Sequence, residues 1–160
     1  MTEAITLRKA VACDEAAIRD CAKNAFSGYI ALIGREPAPM TADFAARIAS
    51  GHIYVALNDN GVLQGYIIFF AQDGHMHLDT VAVLPSAAGR GIGKQMITFC
   101  EAEARRLGLD AVHLYTNEKM TANLLIYPRL GYVEVGRRSE DGFNRVFFEK
   151  TLGLNSSLVT

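Results

Sequence analysis

The sequence feature that most constrains the fold is a set of three glycines, each two residues from the next, within Gly89–Gly93. The residues before it, His75–Val83, alternate in polarity as a half-buried strand does. The residues after it, to about Leu107, carry apolar side chains at helical spacing, namely Ile92, Met96, Phe99, Cys100 and Ala104. A strand, a glycine-rich turn and a helix in succession direct backbone N–H groups and the positive helix end to one point, which favours binding of a phosphate group.

Two common phosphate-binding motifs are excluded at this turn. A dinucleotide-binding motif requires a third glycine where Lys94 stands. A P-loop requires a glycine where Ala88 stands and a Ser or Thr where Gln95 stands. Two other interpretations stay open, a turn that binds nothing and an enzyme for another phosphorylated ligand such as a nucleotide. The glycines favour a ligand, because flexible residues cost conformational entropy that a plain turn does not require.

The pattern along the rest of the chain predicts the element order β-α-α-β-β-β-α-β-α-β-β. We therefore expect an α/β fold of the α+β type, with a mixed, largely antiparallel sheet of about seven strands and four helices. The other predicted segments are strands at 5–8, 52–57, 62–71, 111–116, 132–138 and 143–152, and helices at 13–26, 41–51 and 121–130. We expect one domain over residues 1–152 and a loose tail over residues 153–160.

Two local predictions concern the helices. Thr41 is a plausible N-cap for the second helix, because its hydroxyl can accept a hydrogen bond from an exposed backbone N–H. In the helix that follows the glycines, Glu101 and Arg105 are four residues apart in the favourable order. We expect them to form an outward-facing ion pair.

Composition limits the class of protein. The 160 residues include 16 Lys and Arg against 17 Asp and Glu, which leaves a net charge of -1 and argues against a dedicated nucleic-acid binder. The longest apolar run, Tyr66–Ala71, is far shorter than the ~20 residues that span a bilayer. The first residues lack a basic segment followed by an apolar one, so we expect no secretion signal and no membrane partner.

The chain contains three cysteines, Cys13, Cys21 and Cys100. An odd number at wide spacing is typical of free thiols in a reducing cytoplasm rather than of a disulfide scaffold. Each has apolar neighbours at helical spacing, so we expect all three to be core thiols without a catalytic role.

Two segments together resemble the GNAT superfamily of N-acetyltransferases. The strand residues Leu78–Pro85 followed by Gly89–Lys94 are similar to its pyrophosphate-binding motif, Arg/Gln-x-x-Gly-x-Gly/Ala between a strand and a helix. Gly91 and Gly93 match that motif, whereas Ala88 stands where Arg or Gln is usual. Because backbone amides do most of the pyrophosphate binding in this family, the resemblance implies that binding survives this departure.

The second segment, Leu124–Tyr132, resembles the family's A-x-x-x-Y-x-x-x-G-F pattern. Tyr127, Gly131 and the aromatic Tyr132 match, while Asn123 replaces the usual Ala and Met120 replaces an upstream Asn. The wider stretch at 118–123 resembles one bacterial subgroup whose acceptors are mostly unassigned. The element order also matches the family over residues 3–152.

The resemblance implies an enzyme that transfers an acetyl group from acetyl-CoA, its co-substrate, to the amine of a small molecule or peptide by direct attack and without a metal. By motif position Tyr127 would protonate the CoA thiolate, although a buried tyrosine bonded to a backbone carbonyl is the alternative. The backbone of the strand end would bind the pantetheine arm and donate a hydrogen bond to the oxyanion. The implied cofactor-binding residues are Val81, Ala82, Val83, Gly89, Arg90, Gly91, Ile92, Gly93, Lys94, Asn123 and Tyr127.

The residue that deprotonates the amine is less defined by the sequence. Asp79 and Glu118 are the two candidates, and deprotonation through water alone is a third option. Strand alternation places His75, His77 and Asp79 on one face, so His77 and Asp79 could act as a proton-accepting pair. The same three residues form a weak metal-binding pattern, which we do not favour.

The resemblance places the acceptor between two loops, Tyr29–Met40 and Arg138–Phe143. Their charged residues, Arg35, Glu36, Arg138 and Glu140, suggest a zwitterionic or small polar amine. A homodimer is one option that the family implies. From another functional class, a non-catalytic sensor module that binds acyl-CoA is the alternative to an enzyme, motivated by the departures at Ala88, Met120 and Asn123.

Overall fold

The computed structural model describes residues 4–153, so residues 154–160 of the predicted tail lie outside it. Contacts between Cα atoms divide the chain into two compact units. The first unit contains the described residues up to Phe69 together with Thr80–Phe99. The second unit contains Phe70–Asp79 and the described residues from Cys100 onward.

The strands form one seven-stranded sheet, as the sequence predicts. Its order is β1-β2-β3-β4-β5-β7-β6. The parallel pair is β4 with β5, and the β1–β2, β2–β3, β5–β7 and β6–β7 pairs are antiparallel. The strands are β1 (Thr6–Lys9), β2 (Ile53–Leu57), β3 (Leu63–Gln72), β4 (His75–Val83), β5 (Ala111–Asn117), β6 (Val133–Glu140) and β7 (Phe143–Thr151).

The four predicted helices are present, and the loop between the first two contains a further helical turn. The helices are α1 (Glu15–Phe26), the one-turn α2 (Ile30–Ile33), α3 (Phe44–Ala49), α4 (Ile92–Arg106) and α5 (Thr121–Arg129). The predicted N-cap at Thr41 is wrong. Asp43 takes that position, and its carboxylate accepts a hydrogen bond of 3.1 Å from the backbone N–H of Ala46. Among the described residues, no helix is long and apolar enough to cross a membrane.

Aromatic contacts fix the core of the first unit. Phe44 of α3 meets Tyr66 of β3 edge-on, with ring centres 6.0 Å apart, and both side chains are fully buried. Tyr54 of β2 stacks on Phe69 and meets Phe99 of α4, at ring-centre distances of 5.2 and 4.8 Å. Such pairs stabilise a core beyond the burial of their area.

In the second unit, Glu101 of α4 faces inward, so the predicted outward pair with Arg105 is wrong. Glu101 is 7% exposed. Its carboxylate accepts hydrogen bonds of 2.8 Å from the hydroxyl of Tyr132 and 3.0 Å from the ammonium of Lys150. A buried carboxylate requires such partners, because an unpaired charge loses its hydration.

Two of the three cysteines are core thiols, as predicted, and the prediction for the third cysteine is wrong. Cys21 and Cys100 are buried, whereas Cys13 is exposed. Burial raises the pKa of Cys21 to about 12 and raises that of Cys100 further above its usual value. Both thiols are therefore neutral and weakly nucleophilic at physiological pH.

Candidate active site

The end of strand β4 lies outside its ladder with β5. That parallel ladder pairs Met76–Leu78 with Val112–Leu114. β4 continues from Asp79 to Val83 beyond this ladder. The residues of β4 that the sequence assigns to pantetheine binding, Val81–Val83, therefore belong to the part of the strand that follows the ladder.

The same part of β4 lies very close to β3 within the first unit. A Cβ at Gly65 would overlap the carbonyl oxygen of Ala82 and would lie 3.2 Å from the Cε of Met96. Just beyond, the backbone N–H of Leu84 donates a hydrogen bond of 2.8 Å to the carbonyl of Gln64. Sequence reasoning missed Gly65, although a lone glycine inside a strand is a known sign of close backbone approach.

The glycine-rich turn joins β4 to α4 with two residues in left-handed conformation. Gly89 and Gly91 have φ angles of 80° and 77°, which glycine adopts without strain. The first hydrogen bond reaching back to the turn is donated by the N–H of Gln95 to the carbonyl of Gly91, at 3.0 Å. The preceding N–H groups in the first turn of α4 have no earlier helical carbonyl to bind. They supply the donors that an anion requires.

Side chains around this turn leave room for a ligand. A Cβ at Gly89 or Gly91 would meet nothing within 4 Å, whereas a Cβ at Gly93 would contact the side chains of Val83 and Val81 at 3.7 and 4.0 Å. Arg90 and Lys94 are exposed and place positive charge beside the first turn of α4. The residues present therefore fit a diphosphate, with backbone donors, a positive helix end and cationic side chains.

In the second unit, Tyr127 of α5 is buried among aromatic rings. Its ring centre lies 5.7 Å from that of Tyr132 and 5.8 Å from that of Phe148. Burial raises the pKa of Tyr127 to about 12, and the neighbouring thiol of Cys100 adds to the shift. Within residues 4–153 its hydroxyl has no hydrogen-bond partner. The alternative of a hydroxyl bonded to a backbone carbonyl is therefore not what the structure contains.

Asn123, the other predicted ligand on α5, is held by a residue of β5 and by the residue that precedes α5. Its side-chain amide donates a hydrogen bond of 3.0 Å to the hydroxyl of Thr116 and lies 3.7 Å from the sulfur of Met120. The Thr116 hydroxyl also lies 3.6 Å from that sulfur. These contacts fix the start of α5 on the end of β5.

The candidate bases occupy two different settings in the second unit. On β4, the Nε2 of His77 lies 3.6 Å from the Oδ1 of Asp79, with side chains 12% and 21% exposed. Glu118, after β5, accepts a long hydrogen bond of 3.4 Å from the side chain of Asn144 on β7. The first setting pairs a carboxylate with an imidazole, and the second pairs a carboxylate with an amide.

A second histidine pair lies beside the first. The rings of His75 and His113 stack with centres 3.7 Å apart. Burial lowers the pKa of His75, and the positive charges that His113 and His77 would carry lower it further. Within residues 4–153, no group of three His, Cys, Asp or Glu side chains is arranged to hold a metal ion.

The two predicted acceptor loops also differ. Arg35 and Glu36 are exposed, and Glu36 lines a groove of about 800 Å³ along α1. In the last hairpin, Arg138 donates a hydrogen bond of 3.1 Å to Glu140. Glu140 also accepts a hydrogen bond of 3.2 Å from Arg145, a residue of β7 that sequence reasoning missed.

Comparison with known families agrees with this geometry. The model of the family described as "Acetyltransferase (GNAT) family" matches residues 16–132, which include the strand end, the glycine turn and Tyr127. The chain belongs to the GNAT acetyltransferase family. As a GNAT protein it is similar along its described fold to the crystal structure of the PaiA N-acetyltransferase of Thermoplasma acidophilum in complex with coenzyme A. The TM-score is 0.77 at 15% identity, over 92% of this chain and 99% of that one.

Two curated GNAT-like relatives have assigned acceptors. One, an aminoalkylphosphonate N-acetyltransferase of Salmonella typhimurium, is 32% identical over 97 residues, which are 56% of this chain and 62% of that protein. The other, the L-amino acid N-acyltransferase MnaT of Escherichia coli, is 28% identical over 104 residues, which are 62% of this chain and 60% of that protein. The chain thus matches about three fifths of the length of these relatives.

The close approach of β3 to β4 in this GNAT protein can be tested with Gly65→Ala. The added Cβ overlaps the backbone at Ala82, so the strand end must move, and overpacking of this kind costs about 1–3 kcal/mol. Urea denaturation should show that loss of unfolding free energy. Gly136→Ala on β6 is the matched control, because a Cβ there meets nothing within 4 Å. Equal stability of the two variants would contradict the close approach.

Proposed function

We propose that this protein is an acetyl-CoA-dependent N-acetyltransferase that moves an acetyl group to an amine by direct attack. The observation that carries this proposal is the junction of β4 and α4, where Gly89 and Gly91 turn the chain into a helix whose first N–H groups have no helical acceptor. Family membership supports the same conclusion. The alternative, a non-catalytic sensor that binds acyl-CoA, is distinguished from an enzyme by the CoA-release assay described below.

In this proposal the residues around the turn hold the co-substrate. The N–H groups within Gly89–Lys94 bind the diphosphate of CoA, and Arg90 and Lys94 add charge. The backbone of Val81–Val83 binds the pantetheine arm and donates a hydrogen bond to the oxyanion that develops on the thioester carbonyl. Asn123 contributes by fixing the start of α5, since its amide already bonds Thr116.

Direct attack fits the state of the cysteines. Cys21 and Cys100 are buried with raised pKa values, so neither offers the thiolate that an acetyl-cysteine intermediate requires. In this proposal the amine nitrogen adds to the acetyl carbon, and the tetrahedral intermediate that carries the oxyanion then collapses as the carbon–sulfur bond breaks. The amine loses a proton, and the CoA thiolate gains one.

Protons are handled by two separate groups. A free alkylamine has a pKa of about 10, so a base must remove its proton, and the His77–Asp79 pair is suited to that role. Glu118 is the second candidate. Tyr127 is the group that we assign to protonation of the thiolate. With a pKa of about 12 it stays protonated, and it donates a hydrogen bond to a thiolate whose conjugate acid has a pKa of ~8.5.

The acceptor is an amine of a small molecule or a peptide. The two curated relatives act on amines of small molecules according to their names, an aminoalkylphosphonate and an L-amino acid. The three free thiols fit an enzyme that works in a reducing cytoplasm.

The glycine turn can be tested by comparing two glycines with the same backbone geometry. Gly91 and Gly61 have φ angles of 77° and 75°, and a Cβ at either position meets nothing within 4 Å. Each change to alanine should therefore cost a similar ~1 kcal/mol of stability. Only Gly91→Ala should lower the affinity for CoA in calorimetry and slow CoA release from acetyl-CoA across a panel of amines.

Two results would contradict the proposal. Equal CoA affinity in Gly91→Ala and Gly61→Ala would remove the turn from the CoA site. Tight binding of CoA by the wild-type protein, with no CoA released for any amine, would favour the sensor over the enzyme.

The role of Tyr127 can be tested with Tyr127→Phe. The hydroxyl has no partner within residues 4–153, so its removal should leave stability nearly unchanged. The value of kcat should fall by about 100-fold, as is typical for loss of a general acid, while the affinity for CoA is retained. Because the pKa of Tyr127 is raised to about 12, the wild-type rate should show no decline from tyrosine ionisation below pH 10.

The control for this variant is Tyr54→Phe, which removes a hydroxyl from the aromatic cluster on β2. Its kcat should match that of the wild-type protein. Unchanged activity in Tyr127→Phe would remove Tyr127 from the mechanism.

A further inference from the structure

A row of aromatic rings crosses one face of the sheet in the second unit. His77 of β4 lies 5.6 Å from Tyr115 of β5 between ring centres, and Tyr115 lies 5.5 Å from Phe147 of β7. All three side chains are half-buried, whereas their neighbours along each strand are buried on the opposite face. The row therefore lies on a face that is only partly covered.

Two guanidinium groups are stacked on this row. The Cζ of Arg145 lies 4.3 Å from the centre of the Tyr115 ring, and the Cζ of Arg138 lies 4.0 Å from that of Phe147. The side chain of Arg145 is only 10% exposed. Stacking fixes the plane of a guanidinium and leaves its N–H edge for planar anions such as carboxylates. Arg145 is thus a rigid, nearly buried donor.

The present partners of Arg145 are exposed or shared. Glu140 accepts from both Arg138 and Arg145. The Oδ2 of Asp141 lies 3.5 Å from the guanidinium, and the Asp141 side chain is 83% exposed. An anionic group of a ligand would therefore compete with a weak surface contact rather than with a buried pair.

An acidic side chain belongs to the strand on the other side of Tyr115, because Asp79 lies on β4 and Arg145 lies on β7, the two neighbours of β5. Burial raises the pKa of Tyr115, the positive charge of Arg145 lowers it, and the negative charge of Asp79 raises it. Both charged groups therefore act on one phenol. Asp79 forms the pair with His77 that we assign to amine deprotonation. Asp79 and Arg145 thus lie on the two strands that flank β5.

We infer that this face selects acceptors that carry an anionic group on the carbon next to the amine, and that Arg145 binds that group. This inference rests on the proposed acetyl transfer and adds the class of acceptor to it. The ammonium of the arriving acceptor lies toward Asp79 and His77. The carboxylate or phosphonate takes the N–H edge of Arg145 through charge-assisted hydrogen bonds.

The experiment compares amines that share one carbon skeleton. Alanine, 1-aminoethylphosphonic acid and ethylamine differ only in the group beside the amine, and phenylalanine with 2-phenylethylamine gives a second pair. The rate of CoA release from acetyl-CoA gives kcat/KM for each amine. These values are calculated from the concentration of the neutral amine, so that differences in the protonated fraction do not enter the comparison. The wild-type protein should prefer the acid-bearing members by about tenfold or more.

Arg145→Met should remove that preference, mainly by raising KM for the acid-bearing amines. Arg145→Lys should retain part of the preference, because lysine keeps the positive charge but lacks the planar pair of N–H donors of arginine. The matched control is Arg137→Met on β6, where the guanidinium pairs with the exposed Glu134 at 3.0 Å. It should leave the preference at the wild-type value. CoA affinity and thermal unfolding of each variant confirm that it is folded.

Three outcomes would overturn the inference. If the wild-type protein has equal kcat/KM for plain amines and for acid-bearing amines, it has no selectivity for the anionic group. The proposed function still stands in that case. A preference that persists in folded Arg145→Met belongs to another residue. If Arg145→Met does not fold, the inference is tested by the ratio of kcat/KM for acid-bearing and plain amines in the wild-type protein and in Arg145→Lys. Absence of CoA release with every amine overturns the proposed function, and the inference with it.

Discussion

The close approach of β3 to the end of β4 is the constraint on which the candidate CoA site depends. Only a glycine fits at position 65, because a side chain would overlap the backbone of Ala82. The hydrogen bond from Leu84 to Gln64 continues the contact with β3 one residue past the end of β4. The strand end is thereby fixed, and it leads through Gly89 and Gly91 into the first turn of α4. Rigid support of this kind is what a backbone binding site requires.

The second unit contains the side chains that we propose for the proton transfers. The buried network of Glu101, Tyr132 and Lys150 connects α4, β7 and the residue that precedes β6. Tyr132 in turn packs edge-on against Tyr127, so the phenol proposed as proton donor is held by rings whose own positions are fixed. In our proposal the partly covered sheet face presents Asp79 and Arg145, which carry opposite charges, to the acceptor. The hydrogen bonds from Tyr132 and Lys150 to Glu101 give this network a fixed geometry.

Much of the fold was predictable from periodicity and turn residues. The strand at His75–Val83 and the start of the helix after Gly91 agree with the structure, because a period-2 pattern, glycines and a period-3.6 pattern follow one another there. Glu101 shows the limit of that reasoning. Its spacing from Arg105 suggested a surface pair, but the hydroxyl of Tyr132 and the ammonium of Lys150, distant in sequence, stabilise it inside.

Residues of the candidate site could be predicted when they belong to one short motif in the sequence. They could not be predicted when strand pairing brings them together. Tyr127 and the glycine turn lie in short, recognisable segments. Arg145 gave no signal in the sequence, because the role that we propose for it depends on the register of β7 with β5 and on stacking on Tyr115. Cys13 was assigned to the core from its neighbours, yet it lies in the 3-10 turn before α1, where its side chain is exposed.

The most direct measurement of the central claim is a titration of the ¹⁵N-labelled protein followed by amide chemical shifts. CoA and pantetheine share the thiol arm, and only CoA carries the diphosphate. If backbone amides at the start of α4 bind that group, the signals of Gly91–Lys94 should shift with CoA and stay in place with pantetheine. Saturating CoA that leaves these signals unmoved would contradict the claim.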